Sequence, residues 1–445
     1  MSLHVLILAV VLTAMVVIAV VTTQQAAFEL VGGLYAYRDD ASQDEVRYPP
    51  DPAKTSYRFA LLVPARNEAE VLPYTLETLA EQTHGHVLIV PVIYHDDVLT
   101  MAAARRAEAL FPSRIRVLEF DPGDGPRNKP RKLNAALWWL RDTLPDSELD
   151  ETIVGVFDAE DYVVPGLLRR IDAAFAEDST TSVVQGGVQL MNHDSSWFSV
   201  HNVLEYFGWF SSRMAFNARL GFVPLGGNTV FARFRLLEQV GGWPETLTED
   251  CSLGVLLTAR HGAKVRAYYE AGFSTQEQTP HTLRDLFRQR VRWIQGFFVE
   301  FKRGVWRDLP QRRQRAVAVY VLTLPFYQGF SALYVGVSVL SFFLLSAPVG
   351  LALVMYLPIL PMFLQLLLKV VQLHDFGREY AVRVKARTYL ALLVFYWPYQ
   401  MVLATAGLVA IVREFRGDRS WHKTSHAAAF HAGRHVEPLE AAVNV

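Results

Sequence analysis

The sequence contains a single cysteine, Cys251, among 445 residues. One cysteine excludes disulfides within the chain and is typical of a protein whose soluble part lies in a reducing cytoplasm. The sequence also lacks an excess of either charge, since its formal net charge is −1. A balanced charge gives no electrostatic basis for binding nucleic acid, and we expect no such partner.

Charged residues are absent from one long stretch near the N-terminus, LHVLILAVVLTAMVVIAVVT at 3–22. Its length matches the ~20 apolar residues with which a helix spans a bilayer, so we expect a transmembrane helix. A cleaved signal peptide is the alternative, but its basic start is missing and the apolar run is longer than usual for such a peptide. Further apolar zones cover about 317–373, enough for two crossings, and about 388–412.

Basic residues flank the soluble stretch between these zones, which predicts that it lies on the cytoplasmic side of a cell membrane crossed several times. They include Arg303, Arg307, Arg312, Arg313 and Arg315. One helix entering and three leaving would put the tail outside, whereas its basic start, REFRGDRSWHK, favours the inside. Either one apolar segment is interfacial, or the tail departs from the rule that basic segments lie on the cytoplasmic side.

The predicted units are a transmembrane helix at 1–25, a soluble domain at 50–282, amphipathic interfacial helices at 283–316, transmembrane helices at 317–413 and a tail at 414–445.

Three buried strands are predicted in the soluble domain, and each ends in polar or acidic residues. They are YRFALLVPARNE at 57–68, VLIVPVIYHDD at 87–97 and ETIVGVFDAEDYVV at 151–164. Helical patterns lie between them, which predicts an α/β fold with a parallel sheet covered on both faces. Ligands of such sheets bind beyond the carboxyl ends of the strands, where these polar residues would meet.

The third strand ends in FDAED, which contains Asp158, Glu160 and Asp161. Carboxylate oxygens suit Mg²⁺ or Mn²⁺, ions that commonly take their remaining ligands from water and substrate phosphates. A solvated turn is the alternative.

The Gly/Pro-rich loop GDGPRNKPRKLNAAL at 123–137 contains Lys129 and leads into a predicted helix. A basic loop at the N-terminus of a helix is a favourable binding site for an anion. A solvated basic loop is the alternative here.

The segment GGWPETLTEDCSLGVLL at 241–257 places Glu249 and Asp250 after Thr248. Thr248 can cap the helix that follows, and acids in a first helical turn favour the helix dipole. The functional alternative makes one of these acids a general base.

The helix predicted for RDLFRQRVRWIQGFF at 284–298 has two different faces. Leu283, Phe287, Val291, Ile294 and Phe298 share an apolar face, which we expect to hold the helix against the bilayer. The opposite face gathers Gln289, Arg292, Trp293 and Gly296. A guanidinium suits phosphate or carboxylate, and an indole offers a flat platform for a sugar or acceptor ring. An interfacial anchor is the alternative, and both can hold for opposite faces.

The order PARNE, HDD, KPRKLNAAL, DAED, TED and QRVRW over 57–300 resembles the membrane-embedded family 2 glycosyltransferases, which include the cellulose, hyaluronan and poly-N-acetylglucosamine synthases. The resemblance implies a GT-A fold and an inverting transfer from a nucleotide-sugar, most often a UDP-sugar. It further implies a nucleoside pocket with Ala65, Glu68 and Asp97, or Asp96 in place of Asp97, and Lys129 beside the nucleotide.

The resemblance also implies a Mg²⁺ or Mn²⁺ site at Asp158 and Glu160 and a catalytic base at Asp250. The QxxRW residues Gln289 and Arg292 would contact the diphosphate, and Trp293, with Glu249, the acceptor end. The second metal carboxylate is Glu160 where the family has Asp, which leaves the ligand set and the role of Asp161 open. The chemistry agrees, because an attacking hydroxyl needs a base and a departing diphosphate needs cations.

The sequence does not decide whether the acceptor is a growing polysaccharide or a membrane lipid that receives one sugar. A catalytically inactive membrane scaffold is an alternative of another class. Relatives carry a tryptophan-containing segment that closes over the nucleotide after the membrane helices. SWHKT at 420–424 is similar, so Trp421 is a candidate lid residue. A tryptophan anchoring a helix end at the lipid interface is the alternative.

Overall fold

The computed structural model describes residues 3–35, 56–324, 326–327 and 359–418. Its centre is a seven-stranded sheet. The strands are β1 (Arg58–Pro64), β2 (Val87–Tyr94), β3 (Leu118–Phe120), β4 (Thr152–Val156), β5 (Thr181–Gln185), β7 (Val230–Arg233) and β8 (Lys264–Ala267), in the spatial order β3-β2-β1-β4-β7-β5-β8. The strands β6 (Val188–Leu190) and β9 (Thr275–Glu277) form a second, parallel pair. The three strands predicted from the sequence are confirmed as β1, β2 and β4.

The sheet is mostly parallel, but it is not wholly parallel as the sequence predicted. Strand β7 lies between β4 and β5 and runs antiparallel to both. Its first residue, Val230, is therefore paired with Val156 at the end of β4. As a result, the residues that precede β7 reach the same edge of the sheet as those that follow β4.

Helices cover both faces of the sheet, as predicted. Side chains alternate along β1, so that Phe59, Leu61 and Val63 belong to one buried cluster and Ala60 and Leu62 to the other. The first face carries α2 (Leu72–Ala80), α3 (Val98–Leu110) and α6 (Leu167–Glu177). The second carries α4 (Lys129–Thr143), α5 (Asp146–Asp150), α9 (Phe234–Val240) and α10 (Glu249–His261).

A second layer of helices lies outside this α/β unit. It comprises α1 (Leu3–Leu34), α7 (Ser199–Gly208), a π-helical turn (Trp209–Arg213), α8 (Met214–Arg219), α11 (Leu283–Arg303), a helical segment α12 at 312–324, α13 (Ile359–Glu379) and α14 (Ala386–Phe415). Helix α11 packs along α14, and α1 packs against α13. In the part of the chain that the structure describes, the length and composition needed to cross a membrane are found in one helix, α14. Most of the zone predicted at 317–373 lies outside the described residues.

The apolar face of α11 is covered by protein, which corrects the expectation that it lies on lipid. Val291 and Ile294 are 2% and 5% exposed, and they pack with Ala406 and Ala410 of α14. The ring of Phe298 contacts those of Phe326 and Phe415. The sequence pattern identified an apolar face correctly, but the same pattern fits a lipid surface and a neighbouring helix.

Candidate active site

A cavity of about 1500 Å³ begins at the carboxyl ends of β1 and β4. Loops around Lys129, Asp158 and Asp250 form one end of its wall, and α11 lines its side. The cavity continues between α1, α13 and α14, where Gln25, Leu368 and Tyr396 belong to its wall. The α/β unit and the outer helices therefore share one continuous space.

Lys129 lies at the centre of the charged end of this cavity. Asn128 caps α4 by accepting a hydrogen bond from the Arg131 amide at 3.0 Å, so Lys129 is the first helical residue. Its ammonium pairs with the Asp158 carboxylate and donates to the Gly227 carbonyl oxygen at 2.8 Å. Burial opposes the charge of Lys129, but the carboxylates of Asp158 and Glu249 outweigh it and hold the pKa of this amine above its ordinary value.

Asp161 holds the loop after β4 in place and is fully buried. Its Oδ2 accepts a hydrogen bond from the Asp158 amide at 2.8 Å, and its carboxylate accepts from the Asn228 side chain at 2.9 and 3.0 Å. The Asn228 amide group also donates to Glu277, at the end of β9. Asp161 therefore orients Asp158, and the sequence analysis missed both Asn228 and Glu277.

Several carboxylates repel one another at this end of the cavity. Burial raises the pKa of Glu160 to about 8, with contributions from the charges of Asp158 and Glu68. Burial and the charges of Glu160 and Asp158 raise the pKa of Glu277 to about 7. A divalent cation fits such a group of hard oxygen ligands because it would relieve their repulsion. Among the described residues, no three acidic, histidine or cysteine side chains are grouped as a complete set of metal ligands.

Glu249 and Asp250 are the first two residues of α10, and both line the cavity. Burial and the neighbouring Asp250 raise the pKa of Glu249 to about 7. Burial also raises the pKa of Asp250, although its Oδ1 accepts a hydrogen bond from the Cys251 amide at 2.8 Å. A Cβ atom built on Gly227 would lie 3.4 Å from Asp250 Oδ2 and 3.6 Å from Lys129 Nζ. The lack of a side chain at Gly227 thus lets the Asp250 carboxylate and the Lys129 ammonium both approach this point of the chain.

Thr248 occupies the N-cap position of α10, but the predicted capping bond from its side chain is absent. Its hydroxyl is buried and has no hydrogen-bond partner among the described residues. A Cβ atom on Gly296 would lie 2.4 Å from Thr248 Cγ2 and 2.5 Å from its Oγ1. Gly296 therefore lets α11 pack directly on the turn that presents Glu249 and Asp250.

The polar face predicted for α11 faces the cavity. Gln289, Arg292 and Trp293 all belong to the wall. Arg292 donates to the Leu247 carbonyl oxygen at 3.5 Å, and the buried Gln289 Oε1 has no partner in the described part of the chain. The Arg290 guanidinium lies 4.5 Å from the centroid of the Trp293 ring. A cation, an amide and an indole are thus presented to the same cavity as the carboxylates.

Residues 57–296 match the sequence model of "Glycosyltransferase like family 2". That span is more than half of the chain. The chain belongs to glycosyltransferase family 2.

Two known proteins are similar to all or part of this glycosyltransferase. A beta-monoglucosyldiacylglycerol synthase from Synechocystis sp. is 30% identical over 171 residues, which are 38% of this chain and 34% of that protein. The match therefore spans about a third of that relative. A mannosyltransferase from Pyrobaculum calidifontis, solved in complex with GDP-Man and Mn²⁺, is 18% identical, covers 91% of this chain and 100% of its own, and superposes with a TM-score of 0.56. This likeness supports the GT-A fold.

The glycosyltransferase brings some of the predicted nucleoside residues to the cavity and leaves others outside. Glu68 belongs to the wall. Ala65 is fully buried, and its carbonyl oxygen accepts a hydrogen bond from Lys132 at 2.8 Å. Asp97 caps α3 and accepts from the Asn67 amide at 2.6 Å. Asp96 forms an ion pair with Arg127 at 2.6 Å, and neither Asp96 nor Asp97 belongs to the cavity wall.

Trp421 lies outside the residues that the structure describes, so its role stays a prediction. The described part of the chain ends at Asp418, whose carbonyl oxygen accepts a hydrogen bond from the Gln295 side chain at 2.7 Å. Gln295 lies on α11, two residues after Trp293. The C-terminal end of α14 therefore lies beside α11, the helix that carries the QxxRW residues.

Proposed function

We propose that this glycosyltransferase transfers a single sugar from a nucleotide-sugar to the hydroxyl of a membrane lipid, with inversion at the anomeric carbon. The supporting observation is the cavity that joins the carboxylate cluster to the space between α1, α13 and α14. A nucleotide-sugar suits the charged end, and a lipid head group can reach the same space from between the helices. The similarity to a beta-monoglucosyldiacylglycerol synthase supports a lipid acceptor.

The donor would bind at the end of the cavity formed by β1, β4 and α4. Glu68 would contact the nucleoside, and Lys129 and Arg292 would face the diphosphate from two sides. Asp158 and Glu160 would hold Mg²⁺ or Mn²⁺, which when bound supplies Lewis-acid stabilisation of the departing diphosphate. The mannosyltransferase with a similar fold was solved with GDP-Man and Mn²⁺, so both UDP- and GDP-sugars are candidate donors.

Asp250 would accept the proton of the acceptor hydroxyl as that oxygen attacks the anomeric carbon. The raised pKa of Asp250 suits a base that must take up a proton near neutral pH. Its Oδ2 lies beside Gly227, and the turn that carries Asp250 packs against α11 at Gly296. Trp293 would provide a flat surface for the acceptor, held in the orientation that its contact with Arg290 sets.

The same proposal places the catalytic domain on the cytoplasmic face of a membrane that the chain crosses more than once. Helix α14 has the length and composition of a spanning helix, and apolar side chains are exposed along it. Leu390, Val394 and Trp397 are 62%, 55% and 40% exposed, which suits contact with lipid.

The test is a transfer assay with the full chain purified in lipid. It uses a panel of radiolabelled UDP- and GDP-sugars, and it separates lipid-soluble label from high-mass label. We expect discrete lipid products with one donor and none with the Asp250→Asn variant. High-mass material would instead identify a polysaccharide synthase. Label in neither fraction, with no nucleotide released, would contradict an enzymatic role for this site.

A further inference from the structure

The far end of the cavity contains a second group of charged side chains, none of which is assigned to the donor, the metal ion or the proton transfer. It is formed by Glu29 of α1, Glu205 and Arg213 on either side of the α7 end, Arg290 of α11 and Lys369 of α13. Ionisable groups cost free energy in such apolar surroundings, and they are retained where they bind something.

Two of the three cations in this group are matched by carboxylates. Arg213 pairs with Glu29, and its guanidinium also donates to the Tyr320 hydroxyl at 2.8 Å. Arg290 pairs with Glu205, whose carboxylate also accepts from the Tyr399 hydroxyl at 3.0 Å.

Lys369 is the cation that remains. Within the described residues its ammonium donates to the Leu204 carbonyl oxygen at 2.9 Å and forms no ion pair. Among the described residues, one positive charge of the group therefore has no ion pair of its own.

The helix that carries Lys369 turns this charge inward. Leu360, Phe363, Leu364, Leu367 and Val371 are exposed along the outer side of α13. Gln365, Lys369 and Gln372 lie at helical spacing on the side that lines the cavity. A lysine on such an apolar helix faces the interior, where polar groups such as the Leu204 carbonyl oxygen and the cavity are available to it.

Gln372 adds a second polar side chain to the wall beside Lys369. It is 3% exposed and lines the cavity, and its Oε1, a hydrogen-bond acceptor, has no partner among the described residues. Gly208 lets both side chains pack closely on α7, since a Cβ atom there would lie 2.9 Å from Gln372 Nε2 and 3.3 Å from Lys369 Nζ.

We propose that Lys369 and Gln372 form a subsite for the phosphate of the acceptor, so that the acceptor is a lipid with an anionic head group rather than a neutral one. This inference rests on the proposed function, because it names the class of lipid that function would use. The ammonium would pair with a phosphate oxygen, and the Gln372 Oε1 would accept a hydrogen bond from a hydroxyl of the same head group. Tyr206, whose ring centroid is 6.3 Å from that of Trp293, lies between this subsite and the carboxylates.

A binding measurement tests the subsite without turnover. The probes are glycerol 3-phosphate and glycerol, titrated into the detergent-purified full chain whose donor site is saturated with nucleoside diphosphate and Mn²⁺. We expect saturable binding of glycerol 3-phosphate but not of glycerol, and Lys369→Gln should weaken it by at least about tenfold, as expected for loss of a charged hydrogen bond. Lys369→Arg should retain most of the binding. Lys385→Gln is the matched control, since Lys385 is exposed in the turn before α14.

Thermal unfolding separates binding from a structural role. Because Lys369 forms no ion pair within the described residues and its burial costs free energy, Lys369→Gln should unfold at the same or a higher temperature than wild type, and glycerol 3-phosphate should stabilise wild type alone. Equal binding by wild type and Lys369→Gln, or no binding by wild type, would overturn the proposal. A marked loss of stability in Lys369→Gln would do so too, since it would assign the lysine to the fold.

A transfer assay then distinguishes this inference from the proposed function. Mixed micelles contain either diacylglycerol or phosphatidylglycerol as the acceptor. We expect phosphatidylglycerol to be labelled faster, and Lys369→Gln to lower kcat/KM for it at least about tenfold while sparing diacylglycerol. If only diacylglycerol is labelled and Lys369→Gln has no effect, the subsite is wrong and the proposed function stands. If neither lipid is labelled, the proposed function fails, and the binding measurement alone decides the subsite.

Discussion

Lys129 and Asp158 form an ion pair at the carboxyl end of β4, and the same ammonium donates to the Gly227 carbonyl oxygen at 2.8 Å. The antiparallel direction of β7 makes this arrangement possible, because it brings Gly227 to the end of a parallel strand. Lys129 thus neutralises the carboxylate that the resemblance assigns to a metal ion. A divalent cation at Asp158 must share the carboxylate with Lys129 or take its place.

Asp158→Ala should remove the dependence of nucleotide-sugar binding on Mn²⁺. The ion would lose one of its few protein ligands, while phosphate oxygens alone hold it weakly. Glu160→Asp should have a milder effect because it keeps the charge. The measurement is nucleotide affinity with and without Mn²⁺, with the exposed Asp142→Ala as the control. A wild-type affinity that does not respond to the metal would contradict the assignment of Asp158 and Glu160.

Asp250→Asn should lower turnover by at least ~10²-fold and leave nucleotide affinity nearly unchanged. The substitution keeps the size of the side chain and an oxygen that can accept from the Cys251 amide, and it removes the basicity. Single-turnover transfer and equilibrium nucleotide binding check the two halves of this expectation. If the variant retains more than a tenth of wild-type turnover, the base lies elsewhere, and Glu249 is the next residue to substitute.

The raised pKa of Glu249 should make the protein less stable as the pH rises. The carboxyl has a pKa of about 7 in the folded protein and an ordinary value of 4.5. Between these values the unfolded chain loses a proton that the folded chain keeps, so stability falls from about pH 4.5 to pH 7 and is level above. Glu249→Gln should remove this contribution, which is about 1.4 kcal/mol for each unit of pKa difference.

Thermal unfolding at pH 5 and pH 8 measures the effect of Glu249. The melting temperature of Glu249→Gln should exceed that of wild type by several degrees more at pH 8 than at pH 5. The exposed Glu81→Gln is the control and should show no such change. The same difference at both pH values would show that Glu249 titrates at its ordinary pKa.

Gly296→Ala should lower turnover at least about tenfold. Its methyl group would overlap the Thr248 side chain and displace the turn that presents Asp250, and small displacements of a catalytic group are costly. Adding Thr248→Ala should restore part of the activity, since the Thr248 hydroxyl makes no hydrogen bond within the described chain. The control is Gly272→Ala, where an added methyl group would meet nothing within 4 Å. Unchanged turnover in Gly296→Ala would show that the contact does not position the base.

Arg290 should act as a positioning residue for Trp293. Replacing Arg290 and Glu205 together by Gln avoids leaving either charge buried alone. We expect the double variant to raise the acceptor KM about three- to tenfold and to leave the donor KM unchanged. In a Trp293→Ala background the same change should have no further effect, and additive effects would assign Arg290 another role. Arg307→Gln, which disturbs a similar contact with Trp306, is the control.

The parts of the fold and site that the sequence predicted are those in which neighbours in sequence carry the signal. The apolar run before Asp158 identifies β4, and the spacing of Gln289, Arg292 and Trp293 identifies one face of α11. Each of these two predictions depends on a few consecutive residues and on the regular spacing of side chains in a strand or a helix. The structure has both the strand and the helix face at the predicted positions.

Other features depend on residues that are distant in sequence. Asn228 reaches Asp161 and Glu277 across 67 and 49 residues, and no local pattern marks either contact. Lys369 is hidden in an apolar zone, where one lysine changes the composition little. Asp97 is a residue that the sequence pattern suggested as a ligand-binding acid because it follows a strand. In the structure its carboxylate accepts a hydrogen bond from the nearby backbone amide of Asn67.

The close packing of α11 on α14 has a mechanical consequence. Leu286 is buried with Tyr399 and Leu403 near one end of the contact, and Lys302 pairs with Glu414 at 2.9 Å near the other. Two helices joined along their length in this way restrain each other's position. A change in the tilt of α14 would therefore be transmitted to α11, the helix that carries Arg292 and Trp293.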